Sequence, residues 1–246
     1  MNQSSNKNMI PKIIHYCWLS GNPYPELIKK CIDSWKNILP DYQIILWDTN
    51  RIDINSNLWL KQACEKKKYA FASDYVRFYA LYNYGGIYLD ADVEVIKSFN
   101  ELIHQKYFLG KEITGDIEAA VMGAEKGLHW VNEGLNYYKE RPFIKENGLF
   151  DKTPVPLIVS QIAEKYNLDI FPCDFFSANN YQTGKKLRSE NTFCIHHFEG
   201  KWFKKDFKYK MKMNIHRFLY FFLGVKGHNA LTQMIRQIIG KGLRSK

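Results

Sequence analysis

The chain is short of cysteine, of long apolar runs and, in its last fifth, of acidic residues, and each shortage excludes something. Its five cysteines (Cys17, Cys31, Cys64, Cys173, Cys194) are odd in number and scattered, with no Cys-x-x-Cys pair and no zinc-ligand spacing. That excludes a disulfide framework and a structural zinc site, and fits reduced thiols in a core. No stretch reaches the ~20 apolar residues a spanning helix requires. The opening residues MNQSSNKNMIPK lack the apolar segment of a signal peptide, so a cytoplasmic protein is expected. After residue 200 only Asp206 is acidic against 12 lysines and arginines, whereas residues 1–200 carry 23 basic and 24 acidic side chains. The formal net charge of +10 therefore belongs to the tail. A near-neutral body argues against the rival reading of a nucleic-acid-binding protein acting through that tail.

What is present is enough apolar material for a large core: 46% of the 246 residues are hydrophobic, which excludes a disordered chain. After a polar arm over residues 1–9, Ile10 to Trp18 reads as a first strand broken by Gly21-Asn22-Pro23. Leu27, Ile28, Cys31, Ile32, Trp35, Ile38 and Leu39 recur at helical spacing. Gln43 to Trp47 is a short apolar strand. Strands alternating with helices predict an α/β domain with a mainly parallel central sheet flanked by helices. Further on, Leu128 to Lys139 and Pro156 to Tyr166 read as helices, and Phe108-Leu109, Ile170-Phe171 and Thr192 to Ile195 as short strands. The expected division is a catalytic domain over 10–203 and a basic amphipathic helical appendage over 204–246.

The most informative stretch is Tyr69 to Ile96, YAFASDYVRFYALYNYGGIYLDADVEVI. Asp74 and Arg77 stand three apart on a helix and share a face. Such a pair is commonly a solvated surface ion pair, but in a helix crowded with Phe71, Tyr75, Val76, Phe78 and Leu81 a polar cleft is the favoured surrounding. Gly85-Gly86 supplies the turn that ends the helix. The strand Ile87 to Leu89 then delivers Asp90 and Asp92, which point the same way if the extended geometry continues, at the end of a sheet where α/β folds bind ligands. Asp-x-Asp alone is a common chance match; its position gives it weight, because two carboxylates so placed suit one hard divalent cation. Trp18, at a strand end, can fill the core or stack on a planar base. His196 and His197 follow an apolar strand; a neutral imidazole is a good metal ligand, although lone histidines are more often structural, and Lys201 behind them could meet a phosphate.

Taken in order, IPKIIHYCW, ILPDYQIILWD, YAFASDYVRFYALYNYGGIYLDADVEV, MGAEKG and IHHFEGKW resemble the bacterial capsular-polysaccharide branch of family 32 glycosyltransferases. That group is akin to the yeast initiating α-1,6-mannosyltransferase and to clostridial glucosylating toxins. The resemblance implies a GT-A type nucleotide-diphospho-sugar transferase fold and a retaining, Mn²⁺- or Mg²⁺-dependent hexosyltransferase. It implies a nucleotide-sugar donor, UDP-linked by preference, and a glycan acceptor in capsular or exopolysaccharide assembly. Carried over, Asp90 touches the donor ribose and sugar, Asp92 binds the metal, Asp74 and Arg77 hold sugar hydroxyls, and Trp18 stacks on the base. His197 becomes the distant metal ligand, with His196 as fallback, and Lys201 and Trp202 lie near the diphosphate. A haloacid-dehalogenase-like phosphohydrolase also opens on Asp-x-Asp, but on its first strand and with Thr or Val where this chain has Glu94. In the tail, Phe218 to Leu223 among lysines suggests an in-plane anchor on an anionic, inner-face membrane surface, which would bring the site to a lipid-linked acceptor.

Overall fold

The computed structural model describes residues 10–113, 115–179 and 186–199, with scattered positions between 215 and 234. The chain forms two compact units, residues 1–179 with 187–202, and residues 180–186 with 203–246. The first contains β1 (Ile13–Cys17), α1 (Glu26–Ile38), β2 (Gln43–Trp47), α2 (Leu58–Glu65), α3 (Tyr69–Tyr84), β3 (Gly86–Leu89) and β4 (Val93–Val95). It continues through β5 (Tyr107–Lys111), β6 (Ile117–Ala124), α4 (His129–Tyr137), α5 (Val155–Tyr166), α6 (Cys173–Phe176) and β7 (Cys194–His196).

Five strands form one sheet in the order β2-β1-β3-β6-β5, and β4 and β7 pair separately. β1 lies parallel to β2 and β3, while β6 is antiparallel to both β3 and β5. Four of the five strands thus run the same way and only β6 is reversed, so the expected mainly parallel α/β sheet is present. Successive side chains leave opposite faces of each strand. Ile14, Tyr16, Ile87 and Leu89 therefore enter a core with Trp35, Phe99 and Phe108. Trp47 and Tyr88 enter the other, with Trp59, Phe78 and Tyr138.

Two elements were not legible beforehand. β6, IEAAVMGA, is rich in alanine, a poor strand former, yet all eight of its residues are buried at the centre of the sheet; burial overrides propensity there. α2 is only eight residues long and is started by Asn57, whose side chain accepts the N–H of Leu60 at 3.0 Å, a cap that offsets the weak periodicity of so short a helix. The strand expected at Ile170-Phe171 is a single bridge from Phe171 to Gly110.

Two devices fix the entry to β3. Gly85 and Gly86 have φ of 68° and 105°, and a Cβ on either would lie 2.7 Å from backbone, at Lys126 N and Ile13 O respectively. Only glycine fits both the dihedrals and the space. Beneath them, buried His15 donates from Nε2 to the Gly85 carbonyl at 2.8 Å and accepts from Trp47 Nε1 at Nδ1, 3.1 Å away. Burial lowers its pKa to about 4, so a neutral imidazole ties β1, β2 and the α3–β3 turn together.

In the second unit, Ile215, Phe218, Phe221, Phe222 and Leu223 are exposed helical positions. Among the described residues no helix is long and apolar enough to cross a membrane.

Candidate active site

Asp74 and Arg77 meet one turn apart on α3, with Arg77 Nη2 2.9 Å from Asp74 Oδ1. Their side chains are only 8% and 4% exposed, which excludes a solvated surface pair. Arg77 Nη1 also donates to the Ala119 carbonyl at 2.5 Å, its guanidinium lies 4.8 Å from the Tyr88 ring centre, and Asp90 Oδ1 is 3.4 Å from Nη2. The Tyr88 hydroxyl donates to that same Asp90 oxygen at 3.1 Å. One arginine therefore joins α3, β3 and β6 below the Asp-x-Asp turn, a use of the planar fork that lysine could not copy.

Burial pushes the Asp74 carboxyl up to about 7, against the opposing pull of Arg77. Asp90 is raised by burial too, again against Arg77. A carboxyl whose folded pKa exceeds its unfolded value contributes stability that is present below the unfolded pKa and lost as pH rises through the folded one. Between about pH 4 and pH 7 the metal-free protein should therefore lose on the order of a few kcal/mol through Asp74. Thermal unfolding across that window is expected to show a steeper fall for wild type than for Asp74→Asn, and parallel curves would contradict the assignment.

After β3 the extended geometry does not continue, contrary to the simple strand expectation. The Val93 N–H returns to the Asp90 carbonyl at 3.0 Å and closes a turn, while the Asp90 N–H donates to Ala120 O at 2.8 Å. The turn still brings both carboxylates to one place, and pairing of β4 with β7 sets Val93 opposite His196. Ligand atoms of Asp90, Asp92 and His196 all lie within 4.8 Å of one another. His196 Nε2 is 3.4 Å from Asp92 Oδ1, and Nδ1 is 3.1 Å from Glu118 Oε2. Asp92 further accepts the Glu199 N–H at 2.9 Å, and its carbonyl accepts that of His197 at 3.1 Å. Burial alone would raise Asp92, but the His196 imidazole, its hydrogen bond and the Glu199 N–H hold the carboxyl well below its usual range. Burial would lower His196, yet Glu118 and Asp92 on either side raise it well above an ordinary histidine.

His197, the first choice for a metal ligand, points elsewhere. Its Nε2 lies 2.9 Å from Glu94 Oε2, and Lys30 joins the same carboxylate at 3.0 Å. Adjacent residues of an extended segment face opposite ways, so only one of the two histidines could reach the Asp pair, and the one that does is His196. Trp18 follows the carboxyl end of β1, half-buried, with Nε1 donating to Asn22 O at 2.8 Å and its ring edge-on to Tyr24 at 5.2 Å. Lys201 and Trp202 lie outside the described residues. Sequence reasoning missed Glu118; an acid inside the apolar run of β6 was the available signal, hidden because that run was not read as a strand.

Two carboxylates and an imidazole converging within 4.8 Å fit one divalent cation with oxygen-preferring character and tolerance for nitrogen, as Mn²⁺ or Mg²⁺. Within the cluster Asp92 lies beside His196, while Asp90 lies beside Arg77.

Residues 25–109, from before α1 through the Asp90–Asp92 turn into β5, match the family described as glycosyltransferase sugar-binding region containing DXD motif. The chain is 35% identical over 132 residues to inositol phosphoceramide mannosyltransferase 3 of Schizosaccharomyces pombe, covering 50% of this chain and 36% of that protein. It is 28% identical over 172 residues to a mannosyl phosphorylinositol ceramide synthase of Saccharomyces cerevisiae, covering 66% and 44%. The chain thus spans less than half the length of these relatives. Among solved structures it is similar to the PaToxG glycosyltransferase, with a TM-score of 0.47 and 20% identity over 65% of this chain and 70% of the other.

Proposed function

We propose, from the premise that residues 25–109 form a glycosyltransferase sugar-binding region with its Asp-x-Asp motif, that the chain is a metal-dependent retaining glycosyltransferase using a nucleotide-sugar donor. The observation that carries this reading is the convergence of Asp90, Asp92 and His196 directly above the buried Asp74–Arg77 pair. Asp92 and His196 would hold Mn²⁺ or Mg²⁺, which when bound supplies Lewis-acid stabilisation to a departing diphosphate. Arg77 orients Asp74 and Asp90 toward the hydroxyls of the donor and adds fixed positive charge below them. Trp18, just past the end of β1, would offer a ring face to the base, and the diphosphate is assigned to Lys201 and Trp202 on the sequence resemblance alone.

Asp90 and Asp92 sit on one turn, so they stand on one side of what they bind. Retaining glycosidases instead flank the bond with carboxyls ~5 Å apart on opposite faces. Attack on the same face as the leaving group, with a phosphate oxygen of that group taking the acceptor proton, is therefore the reading for the transfer step. A phosphohydrolase reading is disfavoured because Glu94, two residues past Asp92, is engaged with His197 and Lys30.

The resemblance favours UDP-sugars and a capsular or exopolysaccharide acceptor, while the names of the yeast relatives add mannose and an inositol-bearing ceramide. Donor hydrolysis over a panel of UDP- and GDP-sugars, with Mn²⁺ and with chelator, tests the core claim. One donor is expected to be turned over only with metal; metal-independent or absent turnover across the panel refutes it.

A membrane role for the tail is part of the same proposal. Phe218, Phe221, Phe222 and Leu223 are exposed in a segment carrying 12 basic residues over 201–246, a composition suited to shallow insertion into an anionic surface on the cytoplasmic side, at ~1 kcal/mol per lysine or arginine near it. Flotation with anionic vesicles is expected to fall several-fold for the Phe218→Ser, Phe221→Ser, Phe222→Ser variant and at high salt. Equal recovery of wild type and this variant in anionic vesicles would remove the tail anchor from the proposal.

A further inference from the structure

Glu118 is a carboxylate in a place where the sequence offers it no company. Its strand is buried throughout, and its own side chain is 1% exposed. A charge so buried is retained only with partners, and the fold provides them through an irregularity. β6 pairs with β5 through Met122 opposite Leu109 and then through Glu118 opposite Gly110, so three residues of β6 intervene where β5 has none. The extra residues Ala119, Ala120 and Val121 form a bulge that serves the active site three times. The Ala119 carbonyl accepts from Arg77, the Ala120 carbonyl accepts the Asp90 N–H, and the Ala120 N–H donates to Glu118 Oε1 at 3.0 Å. Bulges re-aim side chains beside active sites; here the re-aimed side chain is Glu118, whose other oxygen lies 3.1 Å from His196 Nδ1.

We infer that Glu118 is a positioning residue whose carboxylate holds the Nδ1 proton of His196, so that the nitrogen left to ligate a divalent cation is Nε2, the one beside Asp92. The inference rests on the metal-binding reading above. An imidazole with one nitrogen anchored to a buried carboxylate keeps both its ring orientation and its tautomer, and loss of such a partner typically costs 10–100-fold in metal affinity. Without Glu118 the ring of His196 loses its anchor at Nδ1 and keeps only Asp92 at 3.4 Å from Nε2 and the Phe198 ring, its centre 3.9 Å away, to restrain it. Phe198 itself has φ of 52°, a conformation that bulky residues rarely adopt and that a surrounding structure must impose. It places an aromatic ring against His196, so the orientation of the imidazole is set by its carboxylate neighbours and packing together.

The test compares wild type with Glu118→Leu, which removes the acceptor, and Glu118→Gln, which keeps an acceptor oxygen at the same reach without the charge. Two measurements are made on each. In the metal-free protein, the His196 Nδ1 proton should give a downfield, exchange-protected resonance in ¹⁵N-labelled wild type and in Glu118→Gln, and none in Glu118→Leu. By titration calorimetry with Mn²⁺ alone, affinity should fall 10–100-fold in Glu118→Leu and only a few-fold in Glu118→Gln. A merely structural carboxylate would lower the unfolding temperature in both variants while leaving Mn²⁺ affinity at the wild-type level, and that outcome overturns the inference. Should Glu118→Leu fail to fold, loss of the Nδ1 resonance in Glu118→Gln would overturn it, and retention of that resonance with near-wild-type Mn²⁺ affinity would support it. If wild type itself binds no Mn²⁺, the metal reading fails, whereas the Nδ1 resonance still decides whether Glu118 holds His196.

Discussion

Asp92→Ala is expected to abolish measurable Mn²⁺ binding and to lower metal-dependent donor turnover by on the order of 10²–10³-fold, the scale seen when one element of transition-state charge stabilisation is removed. The reason is local. Asp92 combines a carboxylate held well below its usual pKa, a neighbouring imidazole nitrogen at 3.4 Å and a place on a turn fixed at both ends by backbone hydrogen bonds to Ala120 and Asp90. Its side chain is 15% exposed, so the substitution leaves no large cavity and the fold should survive. It also releases the Glu199 N–H, so the loop beyond His196 loses one tether along with the metal. Calorimetry with Mn²⁺ and single-donor hydrolysis measure the two losses separately, with circular dichroism as the check on folding. An Asp92→Ala protein that binds Mn²⁺ with wild-type affinity would place the metal elsewhere.

The largest effect on stability is expected from Arg77. Replacing it with methionine, close in length but uncharged, should destabilise the protein by about 3–5 kcal/mol, the usual cost of removing one partner from a buried ion pair. Three groups lose Arg77 at once: Asp74 and the Ala119 carbonyl as hydrogen-bond acceptors, and the nearer Asp90 oxygen as an ion-pair partner. The buried Asp74 carboxyl and the partly buried Asp90 carboxyl are then left near each other without a cation between them. Their ionisation becomes the cost, so denaturant unfolding should show the deficit largest above pH 7 and smaller as the pH falls and the carboxyls take up protons. The Asp74→Asn, Arg77→Met double variant should recover part of the loss, because it deletes the stranded charge as well as its partner. Arg77→Lys should recover little, since one ammonium cannot span α3, β3 and β6 as the guanidinium fork does. Additive effects of the two substitutions, or a pH-independent deficit, would contradict this account.

Much of this was readable from the chain. The helix–turn–strand order of residues 69–89, the paired glycines and the Asp-x-Asp were all local, and local signals survive folding because they are set by backbone dihedrals and side-chain periodicity. The candidate site was less so. Asp74 and Arg77 were placed on one face correctly, but whether that face met water or protein depended on β3 and β6 closing over it. β6 itself stayed hidden, because an alanine-rich segment becomes a strand only when a sheet is there to bury it. With β6 unseen, Glu118 could not be recognised as more than an acid in an apolar run. That His196 rather than His197 lies beside the Asp pair was hidden for a related reason: spacing to a glycine says nothing about which way a side chain leaves the backbone.

The sequence by itself determined the α/β alternation, the chemistry available in Asp74, Arg77, Asp90 and Asp92, and the segregation of positive charge into the last residues of the chain. Those are properties of residue order and composition. Only the tertiary structure decided that the Asp pair sits on a turn rather than an extended strand, that His196 and not His197 joins it, and that Glu118 stands behind His196. Each of these depends on the register between β4 and β7 or on the bulge in β6, and register is fixed by pairing between segments some 100 residues apart, where no local pattern reaches.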